Sequence, residues 1–309
     1  MGILKKIFKG AKKISKIFKV AKVFKWLGSN PWVALGVFAI GWLYFSSRRP
    51  ESPDFGDSDF NSFEKGILLN HQSNDMSIPV VYGERKVGGT RVFVETSGTD
   101  NEFLYIALVL CEGEIESVDK IYIDDKEVTW SGTLADNTLR TVGSSDGNFY
   151  KDSTSLISVK CHYGTDSQAQ CDLLGALDSW TSNNRLRGLA YISLKIKWNQ
   201  DAFAGLPNIK ALIKGKKVVA YNSSSVAQTA AHSDNPAWCL IDYLTNERYG
   251  KGIPIANIDI PSFYTASGVC DTDVTAYGST TIDVLDCNAV IDTSKKVLDN
   301  VRELAKGAR

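Results

Sequence analysis

Eight apolar residues in unbroken succession, Phe103 to Leu110, constrain this chain more than any other feature. The run has the length of a strand. With no polar residue alternating into it, it reads as a strand covered on both faces, which requires neighbours on either side and layers above and below. The surrounding sequence supplies them. IPVVYGERKVGGTRVFVET, from Ile78, reads as strands broken at Gly83-Glu84 and Gly88-Gly89, with Arg91 to Val94 alternating. Glu112-Gly113-Glu114 turns the chain, Val118 to Ile123 is a strand, and Asp124-Asp125 makes a hairpin turn into Lys126 to Trp130.

Further along, residues 131–155 are rich in Ser, Thr, Gly, Asn and Asp and read as loop. Ile157 to Tyr163 is a short strand. Gln168 to Trp180 carries apolar residues at 173, 174, 177 and 180 and reads as a helix. Leu189 to Trp198 alternates as a half-buried strand, and Asn208 to Ala220 as two strands joined by a turn at Lys214-Gly215-Lys216. Pro236 to Thr245 and Thr293 to Ala305 read as helices. The body is therefore mainly β with a few helices, an α+β arrangement. Its expected parts are 75–220, β-rich, and 221–309, β with helices.

The N-terminus works differently. Residues 1–50 hold eleven Lys and Arg and no acid, so the remainder, with 24 basic and 35 acidic residues, is net acidic although the whole chain is neutral. Lys5, Lys9, Lys12, Lys16 and Lys19 recur at steps of three and four, with Ile3, Ile7, Ile14 and Phe18 making the apolar side of a cationic amphipathic helix. After Gly28-Ser29-Asn30-Pro31, Trp32 to Phe45 is wholly apolar or glycine, with Trp32 and Trp42 near its ends. At about 21 Å as a helix it falls short of the ~30 Å hydrocarbon core. Three readings of 1–49 stand side by side: a membrane-active segment, a helical pair buried in a larger assembly or lining a channel, and a disordered basic arm. Residues 50–74 (PESPDFGDSDFNSFEKG and onward) read as an exposed linker.

Few patterns carry chemistry. Cys111, Cys161, Cys171, Cys239, Cys270 and Cys287 form no CxxC pair, and His71, His162 and His232 lie far apart, so no metal spacing is present. Most of the cysteines sit in apolar runs and read as buried free thiols, in keeping with folding in a reducing cytoplasm. There is no GxSxG elbow, no GxxxxGK[ST] loop and no GxGxxG after a strand. Glu112, Glu114 and Glu116 alternate and read as a solvated edge or turn, with acid–base chemistry the alternative. Asp124-Asp125 reads as a turn, with a weak cation site the alternative. Lys214, Lys216 and Lys217 read as a solvated hairpin tip, with an interface to an acidic neighbour the alternative. His232 beside Asp234 is a loop pair. No catalytic residue, cofactor or metal is expected.

One stretch is more specific. NPAWCLIDYLTNERYGKGI, Asn235 to Ile253, resembles a signature of the central tail hub, or host-specificity protein J, family of lambda-like siphophages: a helix of the form N-x-A-x-x-L-x-D-x-L-T followed by RYG and a further glycine. Asn235, Ala237, Leu240, Asp242, Leu244, Thr245, Arg248, Tyr249, Gly250 and Gly252 match it. Four other stretches are similar to that family in the same order: Ile78 to Gly89, Cys111 to Asp125, Arg185 to Val218 and Asp283 to Val301. Read physically, these are packing residues. Asn235 or Asp234 caps the helix and Pro236 fits its first turn. Trp238, Leu240 and Leu244 form its buried side, and Gly250 permits a sharp exit while Arg248 and Tyr249 brace a neighbouring loop.

The resemblance implies a fold and an assembly. Hubs of this kind are homotrimers whose tail-tube-like β-barrel or sandwich domains mimic a six-fold ring and close the tube at the virion's tail tip. Implied partners are distal tail and tail-tube proteins, other tail-tip proteins, the tape-measure protein, a tail fibre and the host membrane, with DNA only in transit. Implied roles are host attachment and genome ejection. Family members continue into fibronectin-like modules and a receptor-binding tip, so the expectation here is the ring-forming core, with receptor recognition elsewhere. The competing expectation is a membrane channel or penetration protein acting through residues 1–45.

Overall fold

The computed structural model describes residues 77–275 and 281–307. The amphipathic and apolar helices expected over 1–49 and the linker over 50–74 lie outside these residues. In chain order the strands are β1 (Val80–Tyr82), β2 (Glu84–Val87), β3 (Thr90–Ser97), β4 (Phe103–Glu112), β5 (Ile115–Ile123), β6 (Lys126–Glu127), β7 (Leu139–Thr141), β8 (Tyr150–Lys151), β9 (Thr154–Ser155), β10 (Ile157–His162), β11 (Leu189–Lys197) and β12 (Ile209–Lys216). Then come α1 (Pro236–Thr245), α2 (Ile260–Cys270), β13 (Asp273–Thr275), β14 (Thr281–Asp283), β15 (Ala289–Ile291) and α3 (Val297–Gly307). The chain is mainly β with a few helices, as its periodicity predicts.

β4 organises the larger part. It lies inside a five-stranded sheet of order β3-β4-β11-β10-β7, antiparallel to both β3 and β11. Its alternate residues serve two cores, as a period of two dictates. Leu104, Ile106, Leu108 and Leu110 join a cluster shared with Ile115, Val118, Ile121, Ile209, Ala211 and Ile213 of the second sheet, β2-β12-β5-β6. Tyr105, Ala107 and Val109 point the other way, against Cys171, Leu174, Leu177 and Trp180. Asp124 and Asp125, both at positive φ, form the two-residue turn between β5 and β6, which fits the mirror-image turns that match strand twist.

Four expectations need correction. Residues 168–180 are not a helix but a succession of turns, with Gly175, Leu177 and Trp180 N–H groups donating to the carbonyls of Cys171, Leu174 and Leu177. Gly175 and the two aspartates nearby are weak helix formers, and Gln168 holds the segment instead, its Nε2 donating to Arg185 O and Leu186 O and its Oε1 accepting from Gly164 N. That same segment covers β11, so Leu189 to Trp198 is buried on both faces through most of its length, with Ser193 Oγ 3.0 Å from Cys171 Sγ. Lys214-Gly215-Lys216 is no turn: β12 runs straight through it. A Cβ on Gly215 would overlap Val81 O, so only glycine lets β1 and β12 approach this closely. Finally, the 131–155 loop contains β7 and the β8–β9 ribbon, organised by the buried Asp146 carboxylate, which accepts from the N–H groups of Thr129, Asn148 and Phe149.

β1 connects the two parts of the body. It pairs with β15, Val80 opposite Ile291 and Tyr82 opposite Ala289. Val81 belongs to the sandwich core, whereas Val80 and Tyr82 join a second cluster with Val218, Trp238, Cys239, Ile241, Tyr243, Tyr249, Ile260, Ile291 and Leu304. Asn300 of α3 locks this cluster, its Nδ2 donating to Tyr243 Oη and to Asp292 O. All six cysteines are free and buried, as their apolar surroundings predict. Among the described residues no helix is long and apolar enough to cross a membrane.

Candidate functional site

The motif residues Asn235 to Gly250 lie where the second cluster meets the sandwich. Asn235 is the cap: its Oδ1 accepts from Ala237 N at 2.9 Å, and its Nδ2 donates to Ser267 O and to Asp271 Oδ1 at 2.6 Å, tying α1 to the end of α2. Pro236 takes the first turn, where a missing N–H costs nothing. The buried side of α1 is Ala237, Trp238, Cys239, Ile241 and Tyr243. Leu240 and Leu244, expected there with Trp238, are only half-buried. Trp238 lies against Tyr221, ring centroids 6.2 Å apart.

The exit from α1 is a tight reversal. Asn246 Oδ1 accepts from the N–H groups of Arg248 and Tyr249, and Gly252 N and Ile253 N return to Asn246 O and Leu244 O. A Cβ on Gly250 would overlap Tyr243 O, which explains glycine at the end of the RYG tripeptide. The reversal lays Tyr249 on Tyr243, centroids 6.1 Å apart, and aims its hydroxyl back at Asp242.

Asp242 is the centre of the site. Its Oδ2 accepts from Tyr82 Oη at 2.6 Å and from Tyr249 Oη at 2.8 Å, and its Oδ1 pairs with Lys216 Nζ at 2.6 Å. The two charged side chains are only 13% and 15% exposed. One carboxylate thus joins β1, β12, α1 and the RYG loop. Burial, followed by the charge of Asp242, raises the Tyr82 phenol well above its ordinary range, and burial does the same to Tyr249. Both hydroxyls stay protonated and serve as donors.

A second pair lies beside the first. Arg248 Nε meets Glu112 Oε1 at 3.0 Å, linking the RYG loop to the end of β4. Burial raises the Glu112 carboxyl, opposed by Arg248 and Lys216. Lys217 Nζ bonds Glu114 Oε1 at 2.9 Å and lies 3.9 Å from Glu116 Oε2. The alternating glutamates are therefore not merely a solvated edge, because Glu112 is buried. Lys216 and Lys217 are not a hairpin tip, because each has an acidic partner within the chain. These groups line a cleft of about 620 Å³ bounded by Glu112, Glu114, Lys216, Lys217, Arg248 and Tyr249.

Of the residues singled out in the sequence, Asp242, Arg248 and Tyr249 meet here, Asn235 and Pro236 set the helix that carries them, and Gly250 makes the reversal possible. Trp238 packs in the buried cluster with Tyr82 and Tyr249, and Leu244 is half-buried; neither is a hydrogen-bond partner of Asp242. Lys5, Lys9, Lys12, Lys16, Lys19, Trp32 and Trp42 lie outside the described residues. Sequence reasoning missed Tyr82 and the pairing roles of Lys216 and Glu112. Elsewhere, Asp125 pairs with Lys210 at 2.5 Å, and Asp124 Oδ1 accepts from Asn208 N. Among the described residues no three His, Cys, Asp or Glu side chains gather as a metal site. The arrangement is that of a charged clamp: paired ions, protonated phenols and a rigid turn.

No family model matches the chain. Over 298 aligned residues it is 25% identical to the baseplate hub protein pb3 of Escherichia phage T5, the match covering 79% of this chain and 31% of that protein. The chain thus spans about a third of the length of this relative. A solved structure of the virion of a native gene transfer agent particle covers 71% of this chain and 47% of its own, at a TM-score of 0.37 and 16% identity. The chain is a distant homologue of a phage baseplate hub protein.

Proposed function

We propose that this chain is the ring-forming part of a trimeric central hub at the tip of a phage tail. The observation that carries the reading is the match to a baseplate hub protein across most of the chain, joined by the ordered motifs that resemble the lambda-like hub family. In this reading residues 75–220 and 221–309 are the hub's β domains. Three copies close the six-fold tail tube and join it to baseplate and fibre. The chain is a structural component rather than a catalyst, made in the host cytoplasm and carried in the virion.

Its partners are further copies of itself, tail-tube and distal tail proteins, other tail-tip proteins and the tape-measure protein. Host attachment and genome ejection are the processes it serves. Asn235, Pro236, Trp238, Asp242, Leu244, Arg248, Tyr249 and Gly250 act as packing residues that set how the helical cluster is seated on the sandwich. A ring component must transmit load between neighbours, and a junction joined by a buried ion pair, Lys216–Asp242, fixes one arrangement where apolar packing alone would allow several. The test is the oligomer and its location. Native mass spectrometry of the purified chain is expected to give a trimer, and quantitative proteomics of virions about three copies per particle. A chain that stays monomeric at all concentrations and is absent from virions overturns the proposal.

A further inference from the structure

Two of the six cysteines are partners. Cys239 lies in the first turn of α1, and Cys287 lies just before β15. Cys239 N donates to Asn235 O at 3.2 Å, and Cys239 Sγ to Ser233 O at 3.6 Å. Cys287 N donates to Asp234 O at 2.5 Å. Both residues are thus tied to the same short stretch ahead of α1, inside the helical cluster. There the two thiols hydrogen-bond each other. Contact between the sulfurs is the geometric precondition for a disulfide.

The other cysteines are placed differently. Cys111 Sγ accepts from Val81 N and donates to Glu112 O, and Cys171 Sγ meets Ser193 Oγ. Cys161 is buried in the sandwich core. Cys270 bonds the backbone of Ala237. The paired thiols also differ in access: Cys239 is 0% exposed and Cys287 7%. The bond to Cys287, and then burial, raise the Cys239 thiol well above its ordinary range. Cys239 is therefore held back until Cys287 has reacted.

We propose that Cys239 and Cys287 are a redox pair, reduced in this structure, that a small-molecule disulfide oxidises to a covalent link between α1 and the entry to β15. The Cys287 thiolate attacks one sulfur of the small disulfide. Its S–S bond breaks, a mixed disulfide forms on Cys287, and one small thiol leaves with a proton. The Cys239 thiolate then attacks the Cys287 sulfur and expels the second small thiol, which takes the other proton. Two protein thiols are oxidised and one small disulfide is reduced to two thiols. The link closes a loop of about 50 residues that holds the RYG loop, α2 and the β13–β14 hairpin, and so constrains the unfolded chain. It fastens covalently the same helix that the Asp242 clamp holds by charge. Only the timing rests on the hub reading: the bond forms once the particle leaves the reducing cytoplasm.

The test uses the full chain, purified reduced and equilibrated with oxidised glutathione. Free thiols are alkylated under denaturing conditions and the peptides mapped by mass spectrometry. The chain is expected to lose two of its six thiols and to yield one crosslinked peptide pair, Cys239 with Cys287. The oxidised chain is expected to gain about a hundredfold in its folding equilibrium, read by urea denaturation and reversed by reductant. Cys239→Ser is expected to stop at a glutathione adduct on Cys287, whereas Cys287→Ser leaves Cys239 unmodified. Six thiols that survive equilibration, a Cys287 adduct that Cys239 never displaces, or a bond that joins another pair or two chains overturns the assignment. These results are read on the purified chain, so they leave the hub reading to its own test.

Discussion

Replacing Asp242 with alanine removes the acceptor of three donors at once: the Lys216 ammonium and the Tyr82 and Tyr249 hydroxyls. Breaking one side of a buried ion pair costs about 3–5 kcal/mol, because the surviving charge is left without compensation. Lys216 keeps a little exposure and lies 5.7 Å from the Tyr249 ring centroid, which softens the loss. We therefore expect Asp242→Ala to cost about 3 kcal/mol, more than a hundredfold in the folding equilibrium. Lys216→Met leaves the carboxylate with two phenol donors and is expected to cost less, about 1–2 kcal/mol. The double variant, which removes both charges, is expected to be more stable than the sum of the singles by about 1–3 kcal/mol. Urea denaturation supplies the free energies, and hydrogen exchange of the α1 amides locates the loss. An Asp242→Ala chain within about 0.5 kcal/mol of the parent, or a coupling near zero, refutes the clamp.

Other perturbations test separate parts of the account. Gly250→Ala places a methyl group on Tyr243 O and is expected to cost about 1–3 kcal/mol, read by thermal denaturation, with α1 and the RYG loop losing protection first. Asn235→Ala removes the cap and the tie to α2 and is expected to cost about 1–2 kcal/mol. His162, buried and stacked on Tyr191, has its pKa lowered to about 4, chiefly by burial. Between about pH 4 and the ordinary value of 6.5 the unfolded chain holds a proton that the folded chain does not, so stability falls as pH drops through that window, by up to about 3 kcal/mol. His162→Phe is expected to flatten that acid slope, measured by denaturation at stepped pH.

The sequence declares those features that local spacing controls. Phe103–Leu110 declares a doubly covered strand because no polar residue interrupts it, and Asn235-Pro236 with the glycine of the RYG tripeptide, Gly250, marks both ends of α1. Spacing fails where a distant layer decides burial. Leu189 to Trp198 reads as half-buried, but the segment around Cys171, Leu174, Leu177 and Trp180 covers it, as irregular turns with helix-like apolar spacing. α2 escapes notice because few of its residues are buried and its exposed side includes Tyr264 and Val269. The site divides in the same way. Asp242, Arg248 and Tyr249 are visible within one motif, whereas Tyr82 lies 160 residues from its acceptor and Lys216 lies 26 away, inside a strand that looked like a turn.

The central claim concerns position in a particle, and an averaged image of the virion's tail tip tests it most directly. The account predicts three copies of the 77–305 body around the tube axis, at the point where six-fold symmetry gives way to three-fold. A tail tip whose closing ring is built from other chains, with no density for this body, contradicts it.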